Sequence, residues 1–156
     1  MFQAQIASPL GGVRAVVNGD GAVVSVRFFD DELTGDGDGG PAVAVARQLE
    51  EYFAGARRSF DLAIAPDGTE FEKNVWTELV RIPFGTTDTY GAIARRLGDP
   101  AASRAVGVAN ARNPIAIIVP CHRVVGVDGD LTGYAGGLWR KKWLLAHESG
   151  QQRLDF

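Results

Sequence analysis

Cysteine occurs once in these 156 residues, at Cys121, and histidine only twice, at His122 and His147. A single thiol forms no intramolecular disulfide, so the fold does not depend on an oxidising compartment. The first 66 residues contain neither cysteine nor histidine, which leaves them without the ligands of a Cys/His zinc site. No apolar run approaches the roughly 18 residues that span a bilayer, so no membrane association is expected. Met1 to Leu10 lacks a basic stretch followed by an apolar core, so no secretory signal is expected and a cytoplasmic location is the default. The Gly-Lys-Ser/Thr ending of a phosphate-cradling loop is also missing, as is any redox or nucleotide motif. No cofactor is expected.

The net charge of −3 conceals an uneven distribution. Residues 1–70 carry five Lys/Arg against eleven Asp/Glu, and residues 71–156 carry eleven against eight. The acidic front half argues against nucleic acid as its partner, while the moderately basic back half permits it. The chain is long enough to bury a core as one compact unit or two small subdomains.

The first half reads as a small α/β domain over residues 1–66. Val13–Asn18 and Ala22–Phe29 are β-rich runs joined by Asn18-Gly19-Asp20-Gly21, a hairpin signal, and Phe2–Ala7 alternates like a third strand. Leu33–Pro41 is a Gly/Asp-rich loop. Its Asp36-Gly37-Asp38-Gly39 lacks the spacing and closing Glu of a calcium loop and reads as a solvated turn. Pro41 suits the first turn of a helix to about Ala54, with Val45, Leu49, Tyr52 and Phe53 on one side. Ser59–Ile64 is expected to be a strand, and Ala65-Pro66-Asp67-Gly68 a linker. No catalytic constellation precedes it.

Residues 67–156 read as a second, mostly helical domain. Thr69 and Glu72 form a capping box before Phe71, Val75, Trp76 and Leu79 at helical spacing. Thr89 is placed to cap a short helix over Tyr90–Leu97; Gly98 breaks it, and Asp99-Pro100 restarts a second helix to about Ala111. Ala102, Val106 and Ala109 share one face of that helix, leaving Arg104 exposed on the other. This is the outline of a helix-turn-helix, whose second helix normally enters a DNA groove. Near the end, Trp139 and Trp143 flank Arg140-Lys141-Lys142. The expected reading is a helix with Trp143 and Leu144 inward and the basic cluster exposed, over a nucleic-acid platform.

Cys121 lies in Ile117-Ile118-Val119-Pro120-Cys121-His122-Arg123-Val124, read as a buried strand that delivers a thiol to a proline-stiffened turn beside an imidazole and a guanidinium. On composition alone a lone cysteine is a small buried hydrophobe. A thiol is a useful nucleophile only as thiolate, which neighbouring cationic or basic groups favour. Taken singly, His122 is equally a surface turn residue, Glu148 a charge near a helix end, Tyr90 a core aromatic and Arg104 a solvated arginine.

Several motifs, in order, resemble the O6-alkylguanine-DNA alkyltransferase family (methylated-DNA–protein-cysteine methyltransferases). They are Phe71…Val75-Trp76, Ile82-Pro83-Phe84-Gly85, Thr89-Tyr90-Gly91, Arg104-Ala105-Val106-Gly107, Asn113-Pro114-Ile115, Pro120-Cys121-His122-Arg123-Val124, Gly133-Tyr134-Ala135-Gly136-Gly137 and Leu144-Leu145-Ala146-His147-Glu148. The resemblance is dense over about half the chain and looser before it. It implies an α+β protein: an N-terminal α/β domain with an antiparallel hairpin sheet, then a helical, winged-helix-like active-site domain.

The resemblance further implies direct-reversal DNA repair, with the alkyl group of O6-alkylguanine (and by extension O4-alkylthymine) moved irreversibly to Cys121, each molecule acting once. The expected partner is double-stranded DNA, bound in the minor groove with the lesion flipped out, by a monomer, with cooperative coating of DNA left open. His122, through water, and Glu148 activate Cys121; Asn113 braces the turn; Tyr90 helps turn the nucleotide and donates a hydrogen bond to the flipped base. Arg104 fills the vacated stack, and Ala101, Ala105 and Gly107 let the helix approach DNA. Val124, Tyr134, Ala135 and Gly136 belong to the pocket wall, with Ala135 where some relatives have serine. Arg123 is expected to brace the region rather than touch substrate. Two other classes are a non-catalytic sensor of alkylated DNA, which carries tryptophan at the nucleophile position, and a helix-turn-helix regulator with a structural cysteine.

Overall fold

The structure, a computed structural model, describes residues 1–33 and 39–150. The Asp36-Gly37-Asp38 turn lies outside the described residues. The chain forms two compact units, Met1–Asp67 with Pro114–Ile118, and Gly68–Asn113 with Val119–Phe156. The expected division near residue 67 is therefore crossed once: the five residues Pro114–Ile118 pack with the first unit.

The first unit is a three-stranded antiparallel sheet, in the order β1 (Phe2–Ser8), β2 (Gly11–Val17), β3 (Val23–Phe29), with helix α1 (Ala42–Phe53) against β1 and β2. Alternation decides its faces: Val13, Ala15 and Val17 of β2 are buried, while Arg14 and Val16 are half-buried. The hairpin turn is held by Asn18, whose Oδ1 accepts the Asp20 and Ala22 N–H groups at 3.0 Å each. Val45, Leu49 and Tyr52 are the buried side of α1.

The expected strand at Ser59–Ile64 reduces to a single bridge between Ile64 and Val23. The reason is local competition. The Gln48 carboxamide takes both main-chain groups of Asp61, accepting from its N–H at 3.0 Å and donating to its C=O at 3.2 Å, so no ladder continues there. Pro114 and Ala116 give β3 a short extension, through Val26 N–H to Pro114 O at 2.9 Å and Ala116 N–H to Val26 O at 3.0 Å.

The second unit begins with α2 (Glu70–Val80), whose capping box forms as the sequence specifies: Glu72 N–H donates to Thr69 Oγ1 at 3.1 Å and Thr69 N–H to Glu72 Oε1 at 2.9 Å. A two-residue strand β4 (Asp88–Thr89) leads into α3 (Tyr90–Arg96), capped by Thr89. Gly98 turns the chain, Pro100–Ala102 forms a 3₁₀ turn, and α4 runs over Ser103–Ala111. Asp99 makes no side-chain cap, and Ala102 N–H donates to Asp99 O at 3.0 Å, so the second helix opens as 3₁₀ rather than as the α-turn expected from Asp99-Pro100. Buried Trp76 ties α2 to α4 by donating Nε1–H to Ala109 O at 2.9 Å.

The expected strand into Cys121 does not form. Ile115 makes one bridge to Val26, Ile117 adopts φ 70°, and Cys121–Arg123 is a 3₁₀ turn before the two-residue strand β5 (Val124–Val125), parallel to β4. Proline at 120 offers no N–H to a ladder, and a β-branched residue in the left-handed region ends an extended run at a local energetic cost. Helix α5 (Leu138–Ser149) follows, starting after Gly137 at φ 95° and closing on left-handed Gly150. No helix among the described residues is long and apolar enough to cross a membrane.

Thr69→Ala removes one half of the capping box and should lower stability by about 1 kcal/mol. Urea unfolding checks this; an unchanged midpoint would show that α2 is held by its packing alone.

Candidate active site

The second unit brings Cys121, His122, Arg123, Glu148 and Lys141 together from two elements. The first three lie on the 3₁₀ turn, and the other two lie on α5, seven residues apart and hence on one face with Leu144. All five are buried, Lys141 and His122 completely.

Glu148 is the hub. Arg123 donates Nε–H to its Oε1 at 2.7 Å and an Nη2 hydrogen to its Oε2 at 3.0 Å, while Nη1 donates to Ile82 O at 2.7 Å. The second carboxylate oxygen also meets His122 Nε2 at 2.7 Å. Burial pushes the Glu148 pKa up, but the hydrogen bonds from His122 and Arg123 and the charge of Arg123 outweigh it and hold the carboxyl well below the usual range. Gly85, at φ 81°, lets the Pro83-Phe84-Gly85 turn approach this end of α5; a Cβ there would lie 3.3 Å from Glu148 O.

His122 is pushed below its ordinary pKa, first by burial and further by the Arg123 and Lys141 charges, against the opposing pull of Glu148. The imidazole is therefore neutral at neutral pH. With Glu148 ionised and acceptor-only, the ring hydrogen sits on Nε2 and donates to the carboxylate. Nδ1 is left as a buried acceptor, without a hydrogen-bond partner among the described residues. This is a base held in one tautomer by an orienting carboxylate.

Burial raises the Cys121 pKa, while a hydrogen bond from Asn113 and the charge of Lys141 oppose the rise. Lys141 is pushed down by burial and back up by Cys121. Its ammonium donates to Thr132 O at 2.8 Å, and no carboxylate pairs with it among the described residues. A thiolate at Cys121 and an ammonium at Lys141 would thus each favour the other's charged form.

The C-terminal end of α4 clamps the Cys121 turn. Asn113 donates to Val119 O at 2.8 Å, and buried Asn110 donates to Cys121 O at 3.3 Å. Tyr90, half-buried at the start of α3, accepts from Thr132 Oγ1 at 2.9 Å, and Gly107 of α4 faces its ring. The start of α3 is fixed by Arg96, which bridges Glu78 at 2.7 Å and Asp88 at 2.6 Å. Arg104, Ala101 and Ala105 are exposed on the helix-turn-helix. Val124 is fully buried beside the turn; Tyr134 and Gly136 are half-buried, and Ala135 is exposed.

One expectation is corrected. Arg140 and Lys141 are not an exposed basic cluster: both are buried, and only Lys142 is exposed. Arg140 lays its guanidinium 4.6 Å from the Trp139 ring centroid and donates to Gly136 O at 2.9 Å, so α5 turns its first cations toward the pocket loop. The helical spacing of Lys141 with Leu144 and Glu148 was the available signal. Asn110 and Thr132 gave none, because single polar residues acquire meaning only from what they touch.

A neutral base, an orienting carboxylate, a thiol and a buried ammonium equip this site for nucleophilic group transfer. A family model described as 6-O-methylguanine DNA methyltransferase, DNA binding domain, matches residues 70–150. The chain is 64% identical over 103 residues to a methylated-DNA–protein-cysteine methyltransferase of Methanosarcina acetivorans, covering 66% of each chain. It is 47% identical to that of Mycolicibacterium paratuberculosis, over 90% of this chain and 88% of the relative. It also matches a crystal structure of Mycobacterium tuberculosis OGT in complex with DNA, with TM-score 0.87 and 42% identity over 96% of this chain and 93% of that one. The chain belongs to the O6-methylguanine DNA methyltransferase family, with the α+β fold of its solved members and the family's DNA-binding domain over residues 70–150.

Acid should destabilise the fold from the histidine range downward. Below about pH 6.5 the unfolded chain protonates His122 while the folded chain, with its depressed pKa, does not. The unfolded state then binds more protons, so the stability is full above that range and is lost as pH falls through the folded value. Glu148, also depressed, adds a second loss below about pH 4.3. Urea midpoints from pH 8 to 4 check this; a midpoint that held steady from pH 7 to 5 would contradict a neutral buried His122.

Proposed function

We propose that Cys121 accepts the alkyl group of O6-alkylguanine in duplex DNA, once per molecule. The activity is that of a methylated-DNA–protein-cysteine methyltransferase, direct repair of O6-methylguanine in DNA. The observation that carries the residue assignment is the neutral, tautomer-fixed His122 beside the buried thiol, with Lys141 as its countercharge.

The thiol proton passes to His122 Nδ1, the lone acceptor the Glu148 hydrogen bond leaves available, by way of a bridging water. The thiolate, favoured by Lys141, attacks the alkyl carbon; an S–C bond forms as the O6–C bond breaks, and the electron pair leaves on guanine. Hydrogen-bond donation by Tyr90 stabilises that developing charge, and proton uptake restores guanine. The thioether has no route back, so turnover stops. Asn113, with Asn110, holds the turn that presents Cys121.

Minor-groove binding by α4, with the lesion rotated out, brings the carbon to the thiol. Exposed Arg104 fills the gap in the stack, and the small residues Ala101, Ala105 and Gly107 allow close approach. Val124, Tyr134, Ala135 and Gly136 form the pocket wall. The protein acts as a monomer in the cytoplasm, where its thiol stays reduced.

Incubation with duplex containing O6-methylguanine should place one methyl group on Cys121, read by peptide mass spectrometry. Repair by Cys121→Ala would overturn the assignment. Arg104→Ala should slow repair of duplex by about tenfold or more, as expected from losing a hot-spot arginine, yet leave reaction with free O6-benzylguanine nearly unchanged. Equal losses on both substrates would remove Arg104 from the flipping step.

A further inference from the structure

Thr132 sits at a junction that the transfer mechanism above leaves unexplained. Its main-chain carbonyl accepts the ammonium of fully buried Lys141 at 2.8 Å, and its side-chain hydroxyl donates to the Tyr90 phenolic oxygen at 2.9 Å. The same ammonium lies 6.0 Å from the centroid of the Tyr90 ring. The residue lies 42 positions from Tyr90 in the chain, in the segment between β5 and α5. Arg140, the neighbour of Lys141, donates to Gly136 O, so adjacent cations of α5 hold this segment at two points.

A phenol hydrogen lies near the ring plane and has two orientations there, with the oxygen accepting on the side left open. Once Thr132 donates from one side, the Tyr90 hydrogen is turned to the other. A donor fixed in direction before substrate arrives costs no reorganisation when charge develops on the base.

We propose that Thr132 is a positioning residue for alkyl transfer: anchored through its carbonyl to Lys141, its hydroxyl sets the direction in which Tyr90 donates to the flipped base. This assignment rests on the alkyl-transfer reading of the site. Thr132 is exposed in the free protein, where water competes for its hydroxyl, so its loss barely moves stability.

The test is a double-mutant cycle in the full-length chain, reading single-turnover methyl transfer from an O6-methylguanine duplex. Thr132→Val keeps the shape and removes the hydroxyl; it should slow transfer about three- to tenfold, the range of one hydrogen bond, with an unchanged urea midpoint. Thr132→Ser should restore the rate. In a Tyr90→Phe background, which has no phenol to direct, Thr132→Val should slow transfer no further. A wild-type rate in Thr132→Val, equal slowing in both backgrounds, or failure of serine to restore it would each overturn the proposal. A wild-type chain that accepts no methyl at all would overturn the alkyl-transfer reading as well, so the two failures are distinguishable.

Discussion

One buried carboxylate organises the second unit. Glu148 is shared between the guanidinium fork of Arg123 and the imidazole of His122. Removing one partner from such a group leaves an uncompensated buried charge, which costs roughly 3–5 kcal/mol. The arrangement therefore joins the end of α5, the Cys121 turn and, through Ile82 O, the end of α2 into one rigid corner. Its chemical consequence follows from the same contacts: an ionised carboxylate dictates which imidazole nitrogen carries hydrogen.

The charge balance around that corner gives Lys141 its meaning. Glu148 is neutralised by Arg123, and His122 is uncharged, so the electrostatic counterpart of the Lys141 ammonium is the thiol of Cys121. Burial alone makes a thiolate unfavourable; burial beside a desolvated cation makes it accessible on demand. That corner contrasts with the outward side of the helix-turn-helix, where Arg104 and the small residues Ala101 and Ala105 are exposed. The proposed chemistry falls to the buried elements, and the proposed contact with DNA to the exposed helix-turn-helix.

The readable parts of this chain share a physical basis, in that their cause lies within a few residues. The Thr69–Glu72 capping box, the Asn18 hairpin turn and the Thr89 cap all formed as local chemistry dictates. The failures were of the opposite kind. Ser59–Ile64 has strand propensity, yet Gln48, 13 residues from Asp61, occupies its hydrogen-bonding groups. The run before Cys121 looks like a buried strand by composition, but a strand needs a neighbour, and a bridge at Ile115 is followed by the left-handed turn at Ile117. Arg140 and Lys141 look solvated because lysine and arginine usually are; only the contents of the space beside α5 reverse that.

The sequence by itself determined the helix-turn-helix outline, the turn that carries Cys121 and, through ordered motifs, the family. Those features are written in residue types at short, fixed spacings. Tertiary structure alone decided that His122 is neutral with hydrogen on Nε2, that Arg123 is shared between Glu148 and Ile82, and that Lys141 is buried where its charge favours a thiolate at Cys121. Protonation and hydrogen-bond direction depend on desolvation and on partners up to 41 residues away, which no local pattern encodes.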